Sequence, residues 1–481
     1  MMSSARFLVR QSSVGWRRRC AVRTLVYLAL ATAGGGEALA QCSFSPDKTP
    51  ALGVPSVLWG DLAPTDVGQL AILRDNTAFD RFGAGPSFEA NPYTFALDVE
   101  DGWLFVARNR RFEIWDARTS PALPARTFDI PHTATGLTWT VDAHGYFLYQ
   151  DVDAPPGNSD IAAVAGNYGI GIAVFDTSNK SAADLLYQDH GNGRWADQVY
   201  AASIGDREYA FLAATGTGTG GGVFVYDLTA AAALSEPCIE AQPASTSPCP
   251  GVFLGAIGSW PRAVYIDGAG DFVVFSASGG PRGFEIWNVA DPSQPVRVME
   301  GLPNGIVHGI ALWQEGDDYF LAANVGGEGR FYEVSCITGG TCGPTLLATR
   351  PVESSGLLLP VTFSRSGAVP FVYFGTGSDC LSGFQREWLF DVSTPSNPRD
   401  ITPPGTAVID GEEISYWGWY YMDNGVHGFN FVAPRMGKFS GEHFYRAASS
   451  ILDIHRWQES TRLFQDGFES GDVSAWSRTL P

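Results

Sequence analysis

The chain has 481 residues, and its 51 acidic residues outnumber its 31 lysines and arginines, which gives a formal net charge of −20. Such an acidic balance argues against binding to nucleic acid or to anionic membrane surfaces. Hydrophobic residues make up 45% of the chain and charged residues 17%, which is typical of a folded globular protein and not of a disordered one.

Residues 1–40 have the three parts of a signal peptide. Arginines crowd the region before residue 24, a short apolar core covers residues 25–33, and the small-residue pattern Ala38-Leu39-Ala40 follows. We expect cleavage to leave Gln41 as the first mature residue. The alternative is an uncleaved anchor, but the apolar core is shorter than the roughly 20 residues of a spanning helix. The sequence therefore predicts a secreted, periplasmic or cell-surface protein without a transmembrane segment after cleavage.

A repeated pattern of short strands covers residues 91–457, after an N-terminal segment at 41–90. One strand of each unit is mainly apolar and, in most copies, is followed by Asp or Asn and then a turn. A short Asp or Asn side chain can accept hydrogen bonds from backbone N–H groups in such a turn. The copies are RFEIWD at 111–116, GIAVFD at 171–176, GVFVYD at 222–227, GFEIWN at 283–288, GRFYEV at 329–334 and REWLFD at 386–391.

Further short strands surround each copy, so that a unit has four strands and a spacing of about 45 to 60 residues, the period of a propeller blade. We therefore predict an all-β fold, a single β-propeller of seven four-stranded blades, with six blades as the alternative. The clear units begin near Asn91, Pro131, Arg194, Ser259, Asn304 and Glu353.

The predicted seventh unit at 406–457 is degenerate. Its candidate strands are residues 413–421, 428–432 and 451–454, although residues 445–454 also suit a helical turn. The segment 41–90 is predicted to supply a strand that closes the ring, with residues 55–59 as the candidate. Closure would remove exposed sheet edges.

Two stretches carry a longer motif: IWNVADPSQPVRV at 286–298 and LFDVSTPSNPRDI at 389–401. They resemble LVIVD repeats, in which a strand is followed by Asp-Val-Ser-Asp-Pro, two residues, Pro and a second strand. Residues 115–121 and 175–179 share part of the motif. The resemblance implies an exported or cell-surface bacterial or archaeal propeller, and it implies no particular ligand or reaction.

Six cysteines remain after the signal peptide, which suggests disulfides in an exported chain. We predict the local pairs Cys238–Cys249 and Cys336–Cys342, and by elimination the pair Cys42–Cys380. No C-x-x-C motif occurs, so zinc-binding and thioredoxin-like sites are disfavoured. The final segment, 458–481, is predicted to be either a sorting tag or an unstructured terminus.

Alignment of the first strand of each unit predicts one ring of residues at a mouth of the central channel: Thr94, Thr135, Asp197, Arg262, His308, Leu359 and Trp417. Asp197, Arg262 and His308 then lie on successive blades, where they would bind an anion or perform acid–base chemistry. A structural Asp197–Arg262 ion pair is the alternative, and a register error of one residue would reverse the ring. Our candidate ligand-binding residues are Asp197, Arg262, His308 and Trp417.

Two further clusters are candidate binding sites. Asp151, Asp153, Asn158 and Asp160 crowd one loop, where their oxygen atoms would suit calcium, although a solvated loop without metal is the simpler interpretation. The aromatic residues at 416–421, followed by His427 and His443, would either stack on a sugar or peptide or fill a blade core.

The function predicted from these features is a non-enzymatic binding module for a protein or glycan on one propeller face. No catalytic residue, metal ligand or cofactor is assigned. The alternative is a secreted hydrolase or lyase with its site at the channel mouth, since propellers carry both kinds of function.

Overall fold

The computed structural model describes residues 69–74, 96–108, 111–121, 124–131, 149–166, 171–189, 194–216, 222–240, 249–258, 263–276, 283–301, 303, 307–352, 361–375, 384–386, 388–402, 406–409, 412–415, 418–420, 437–448 and 451–458. Nearly all of these residues lie in short antiparallel strands or in the turns between them. None of the helices in this part of the chain has the length and apolarity that would let it cross a membrane.

The first three blades follow a strand from the N-terminal segment. That strand is β1 (Gln69–Arg74), and the first blade contains β2 (Ala96–Glu100), β3 (Trp103–Arg108), β4 (Arg111–Asp116) and β5 (Ala125–Pro131). The second contains β6 (Tyr149–Asp153), β7 (Ile161–Gly166), β8 (Gly171–Asp176) and β9 (Asp184–Asp189). The third contains β10 (Arg194–Ile204), β11 (Arg207–Gly216), β12 (Gly222–Asp227) and β14 (Phe253–Ile257). The connection between β12 and β14 holds the short helix α1 (Leu228–Ala232) and β13 (Cys238–Glu240).

The next three blades are also continuous in sequence. The fourth contains β15 (Tyr265–Ala269), β16 (Phe272–Ser276), β17 (Phe284–Asn288) and β18 (Val296–Gly301). The fifth contains β19 (Val307–Glu315), β20 (Asp318–Val325), β21 (Glu328–Glu333), a 3-10 helix (Ser335–Gly339) and β22 (Thr345–Pro351). The sixth contains β23 (Val361–Ser366), β24 (Val369–Phe374), β26 (Trp388–Asp391) and β27 (Arg399–Asp400), with β25 (Phe384–Arg386) in the connection.

The remaining strands close the ring and add two small sheets. They are β28 (Thr406–Ile409), β29 (Glu412–Ser415), β30 (Gly418–Tyr420), β31 (Gly437–Ser440), β32 (His443–Ala448) and β33 (Ile451–Gln458). A composite four-stranded sheet has the order β1-β33-β32-β31, so both ends of the described chain contribute to it. The innermost strands contact one another in the circular order β2, β6, β10, β15, β19, β23, β31 and back to β2.

The all-β propeller class predicted from the sequence is confirmed. Six blades are each made by one continuous stretch between residues 96 and 402, and the composite sheet fills the remaining place in the ring between the sixth blade and the first. The strand from segment 41–90 is β1, which pairs antiparallel with β33, whereas the candidate stretch 55–59 lies outside the described residues.

The internal strands predicted for the last unit were partly wrong. Residues 418–420 form β30, which pairs with β25 in a separate two-stranded sheet and is not a blade strand. The alternative of a helical turn within 445–454 was wrong for the described residues, since 445–448 and 451–454 belong to the paired strands β32 and β33. The second unit also begins later than predicted: its innermost strand is β6, at 149–153, instead of a strand near Pro131. The candidate strand at 428–432 lies outside the described residues.

Apolar side chains between neighbouring blades form the core. Phe112 of the first blade stacks on Phe175 of the second, with ring centroids 4.8 Å apart. Phe371 of the sixth blade stacks on Phe439 of the composite sheet at 4.6 Å. Full burial of a phenylalanine side chain contributes about 1.5–3 kcal/mol, so these interfaces hold the ring together.

The Asp or Asn that follows the third strand of a blade has the predicted role. The Oδ1 atoms of Asp116, Asp176, Asn288 and Asp391 each accept a hydrogen bond at 2.9 Å from the backbone N–H two residues later. In the third blade, Asp227 Oδ1 accepts the Ala230 N–H at 2.8 Å and caps helix α1. A short Asp or Asn side chain therefore fixes the connection after the third strand in five blades.

Both local disulfides, Cys238–Cys249 and Cys336–Cys342, are confirmed. Cys42 and Cys380 lie outside the described residues. The Cys238–Cys249 connection also adds β13 as a fifth strand of the second blade, parallel to β9, which the sequence did not predict.

Candidate functional site

The central channel is bordered by the innermost strands, and polar side chains of these strands connect consecutive blades. Asp98 Oδ2 accepts the Ala154 N–H of the second blade at 2.9 Å. Asp151 Oδ2 and Asp153 Oδ2 accept the Val199 and Ala201 N–H groups of the third blade at 2.9 and 2.7 Å. These carboxylates satisfy donors on the free edge of the next innermost strand.

The same arrangement continues around the ring. Gln198 Oε1 of the third blade accepts the Ile266 N–H at 2.9 Å, and Asp267 Oδ2 of the fourth accepts the Leu312 N–H at 2.9 Å. Between the sixth blade and the composite sheet, the Thr362 hydroxyl donates to the Gly437 carbonyl at 2.8 Å. Acidic side chains near the channel therefore join neighbouring blades, and their presence there does not by itself indicate a ligand-binding site.

Lys438 in β31 connects the composite sheet to the first two blades. Its Nζ donates to Asp98 Oδ1 at 2.6 Å and to Asp153 Oδ1 at 3.0 Å. Asp98 and Asp153 are only 2% and 8% exposed, so these ion pairs lie mostly away from solvent. We call Asp98, Asp151, Asp153 and Lys438 the channel cluster.

Burial and mutual charge set the protonation of the channel cluster. Burial raises the pKa of Asp151 to about 7, against a partial opposing effect of its Val199 hydrogen bond and of Lys438. Burial also raises the pKa of Asp153 well above its ordinary value. For Lys438, burial opposes the charge, but the Asp153 and Asp98 carboxylates outweigh it and raise the pKa. The side chain of Lys438 therefore stays protonated and positively charged within the cluster.

Asp151 has one carboxyl oxygen that the fold does not use. Its Oδ2 atom binds Val199, whereas its buried Oδ1 atom has no hydrogen-bond partner among the residues that the structure describes. The residue is 1% exposed. A buried, unpaired carboxylate oxygen is costly unless it is protonated or bound by a donor.

One end of the channel is surrounded by the tight turns that join the first and second strands of the blades. Six of these turns have two residues, and five of the six contain an exposed acidic residue: Asp101, Asp206, Asp271, Asp317 and Glu442. The sixth contains Ala368 instead. We call this end of the propeller the turn face.

Glu100 lies at the turn face beside the channel cluster. Its Oε1 atom accepts the Gly157 N–H at 2.7 Å. Burial, reinforced by Asp98 and Asp101, raises the pKa of Glu100 to about 7, against the opposing effect of the Gly157 hydrogen bond. Burial is the main cause of this shift, and the neighbouring carboxylates add to it.

The predicted mouth ring is described only in part. His308 lies in β19 and is half-buried, and Asp197 lies in β10, but Arg262 and Trp417 are outside the described residues. The register assigned to the seventh innermost strand was wrong, because Gly418 belongs to β30 and the innermost strand is β31. The structure therefore does not bring the four candidate residues together as one described site.

The proposed calcium ligands point to different partners. Asp151 and Asp153 bind β10 and belong to the channel cluster, whereas Asp160 Oδ1 accepts a hydrogen bond from Lys180 Nζ at 3.0 Å. Asn158 Oδ1 accepts the Asp160 N–H. The three carboxylates are thus not gathered around one point in the described part of the chain.

The histidine and aromatic candidates and one cysteine cluster do not form a binding site among the described residues. His443 begins β32, with its ring 6.4 Å from that of Tyr445, while His427 and most of the aromatic stretch 416–421 lie outside the described residues. Cys238, Glu240 and Cys249 lie close enough for a metal site, but the two sulfur atoms are joined in a disulfide.

Comparison with known proteins yields only distant structural similarity. No protein-family model matches the chain, and no curated protein matches it. The chain is similar to the solved structure of Hsv2 from Kluyveromyces lactis, with 9% identity and a TM-score of 0.41 over 77% of this chain and 99% of that one. It is similar to Hsv2 from Kluyveromyces marxianus, with 10% identity and a TM-score of 0.40 over 76% and 96% of the two chains. The fold assignment rests on the sheets themselves.

Proposed function

We propose that this protein is an exported, non-enzymatic binding module whose turn face binds a basic segment of a protein partner. The observation that carries the proposal is the set of exposed acidic turn residues around one mouth of the channel. A cleft or mouth lined by one sign of charge attracts partners of the opposite sign and speeds their association.

Other charges at the turn face reinforce this negative field. Asp318 follows the Asp317 turn, and Glu208 follows the Asp206 turn. The arginines next to these turns are already paired, since Arg118 binds Asp116, Arg207 binds Asp227 and Arg365 binds Glu315. The unbalanced charge is therefore acidic, which favours a lysine- or arginine-rich partner over a neutral glycan.

Export is supported by the signal-like residues 1–40 and by two disulfides, which persist in oxidising compartments. The LVIVD-like turns after β17 and β26 agree with such a location. Expression of the full chain in a bacterium, followed by fractionation and N-terminal sequencing, tests this part. We expect an extracytoplasmic chain that begins at Gln41, and a cytoplasmic chain that keeps residues 1–40 would refute export.

The binding proposal is tested with a charge-reversal variant of the turn face. A fluorescent peptide of alternating lysine and glycine is titrated with the mature protein at low and at physiological ionic strength. In the variant Asp206→Lys, Asp271→Lys, Asp317→Lys we expect affinity to fall by about tenfold or more, which corresponds to at least ~1.4 kcal/mol. Binding by the native protein should weaken as salt rises.

A matched control carries the same change in net charge on outer strands and connections: Asp184→Lys, Glu236→Lys, Asp291→Lys. These three residues are exposed and belong to the outer strands and connections, not to the tight turns around the channel. We expect the control to retain most of the affinity. An equal loss in both variants would mean that only net charge matters and would overturn the assignment to the turn face.

A further inference from the structure

We propose that the channel cluster is a binding site for a primary alkylammonium group, such as a lysine side chain or a linear amine. The inference deepens the proposed function, because a lysine of the partner would enter the channel from the turn face. It rests on the contacts within the cluster and on one carboxylate oxygen that those contacts leave unused.

The cluster has more acidic groups than basic ones. The one ammonium group, that of Lys438, pairs with the carboxyl groups of Asp98 and Asp153, and the third carboxyl group, that of Asp151, has no cation of its own among the described residues. All three acidic residues are at least nine-tenths buried. Desolvated carboxylates of this kind are stabilised by a positively charged hydrogen-bond donor.

The structure shows which donor these carboxylates accept. Lys438 approaches two of them as a primary ammonium on a straight alkyl chain, with N–O distances of 2.6 and 3.0 Å. Both carboxylates remain anchored through their other oxygen atoms, by Ala154 and Ala201. Acceptors held in this way suit a compact ammonium group with three donors.

Asp151 provides the acceptor for a second ammonium group. Its Oδ1 atom is buried and has no partner among the described residues, while its Oδ2 atom is fixed by Val199. Asp151 and Asp153 lie two residues apart on β6, so their side chains leave the same face of the strand, and both bind β10. An incoming ammonium would pair with Asp151 and bring the cluster closer to neutrality.

The cluster meets solvent at Lys438 and Asp153, and an amine would reach the buried Asp151 from that side. The side chain of Lys438 keeps 24% of its surface exposed, and that of Asp153 keeps 11%. Glu100, at the turn face, lies two residues after Asp98 on β2, so the two acidic side chains share one face of the strand and lead from the mouth to the cluster. An unbranched alkyl chain is the narrowest carrier of an ammonium group.

The first test measures binding of n-butylamine to the mature protein at pH 8 by NMR or calorimetry, with n-butanol and calcium chloride as comparison probes. We expect saturable binding of the amine, none of the alcohol, and competition by a lysine-containing peptide. In Asp151→Asn, affinity should fall by about tenfold or more. In the control Asp291→Asn, an exposed turn residue, it should not change.

The second test uses the cluster's own ammonium and does not depend on Asp151. Lys438→Ala removes the side chain, and added n-butylamine should raise the melting temperature of this variant saturably. Lys438→Met fills the same space without charge, so butylamine should raise its melting temperature only through the Asp151 site and by less than in Lys438→Ala. The absence of saturable butylamine binding to the native protein, or equal binding by Asp151→Asn, would overturn the proposal. Tighter binding of calcium than of butylamine would also overturn it, because the cluster would then be a metal site.

The two proposals fail separately. The turn-face variant with Asp206, Asp271 and Asp317 reversed should lose the basic peptide but keep butylamine binding, since none of those residues belongs to the channel cluster. Loss of peptide binding with retained amine binding supports both assignments. Retained peptide binding in Asp151→Asn, with amine binding lost, would show that a free amine and not a partner's lysine is the ligand.

Discussion

Lys438 and Asp98 are 340 residues apart in the chain, and their side chains meet with Nζ 2.6 Å from Oδ1. The contact joins the composite sheet to the first blade, at the point where the ring closes. The same ammonium also binds Asp153 of the second blade. One side chain therefore holds three neighbouring sheets together.

Lys438→Met should destabilise the protein, because it leaves two buried carboxylates without their cation. We expect a loss of about 3 kcal/mol, at the lower end for a broken buried pair since the Lys438 side chain is 24% exposed. Urea unfolding measures it. Arg399→Met, which breaks a half-exposed pair with Asp391, should cost less than about 1 kcal/mol. If adding Asp98→Asn and Asp153→Asn to Lys438→Met recovers no stability, the cause is not the unpaired charge.

Stability should fall as pH rises from about 5 to about 8. Burial raises the folded-state pKa of Asp151 to about 7 and of Asp267 to about 6, above their ordinary value of 3.8. The folded protein then holds more protons than the unfolded chain in this window, so their stabilisation is complete at low pH and lost as pH passes the folded pKa values. Melting temperatures across the pH range test the sign.

The matched comparison for the pH prediction is Asp151→Asn, which removes one of the titrating groups and keeps an oxygen to accept the Val199 N–H. The melting temperature of this variant should depend less on pH than that of the native protein. Other titrating groups cancel in the difference between the two curves. A difference that does not change with pH would contradict the raised pKa of Asp151.

Asp176→Ala should destabilise the second blade by about 1 kcal/mol, because the Ser178 N–H loses its acceptor in the outer turn. Asp176→Asn should be close to neutral, since Asn288 makes the same bond in the fourth blade. Denaturant unfolding of the two variants measures both changes in the free energy of unfolding. Equal losses would show that the charge of Asp176, and not its hydrogen bond, stabilises the turn.

Gly268→Ala should cost about 2 kcal/mol or more, because a Cβ atom there would lie 2.4 Å from the Tyr200 ring and 2.7 Å from the Phe272 carbonyl oxygen. The carbonyl belongs to a paired strand and cannot move cheaply. Gly343→Ala is the control, since nothing lies within 4 Å of its Cβ position. Thermal unfolding should show a lower melting temperature for Gly268→Ala than for Gly343→Ala. Equal melting temperatures would contradict the close contact between residue 268 and the Tyr200 ring.

The features that sequence analysis predicted are those with a local signature. The strand ending in Asp116 and its copies reveal the blades, and the pair Cys238–Cys249 is close in sequence. Each depends on residues that are near one another in the chain. Turn chemistry and alternating apolar residues can therefore be recognised without knowledge of the fold.

The channel cluster could not be predicted in this way. Asp98 and Asp151 lie within the innermost strands of their blades, and their partners are 56 and 48 residues away, in the next blade. Lys438 follows a stretch in which the repeat has faded, so the seventh innermost strand was assigned to the wrong residues. The one available signal was an acidic residue within the first strand of several units, at Asp98, Asp151 and Asp267.

The pairing of β1 with β33 also sets the order in which the molecule can be assembled. During synthesis β1 is made among the first strands, but its partner is made among the last, so the ring cannot close until nearly all of the chain exists. Until then the incomplete array has open edges that can pair with other chains. Circular permutation that joins β1 directly to β33 would make this contact local, and such a chain should fold faster than the natural one.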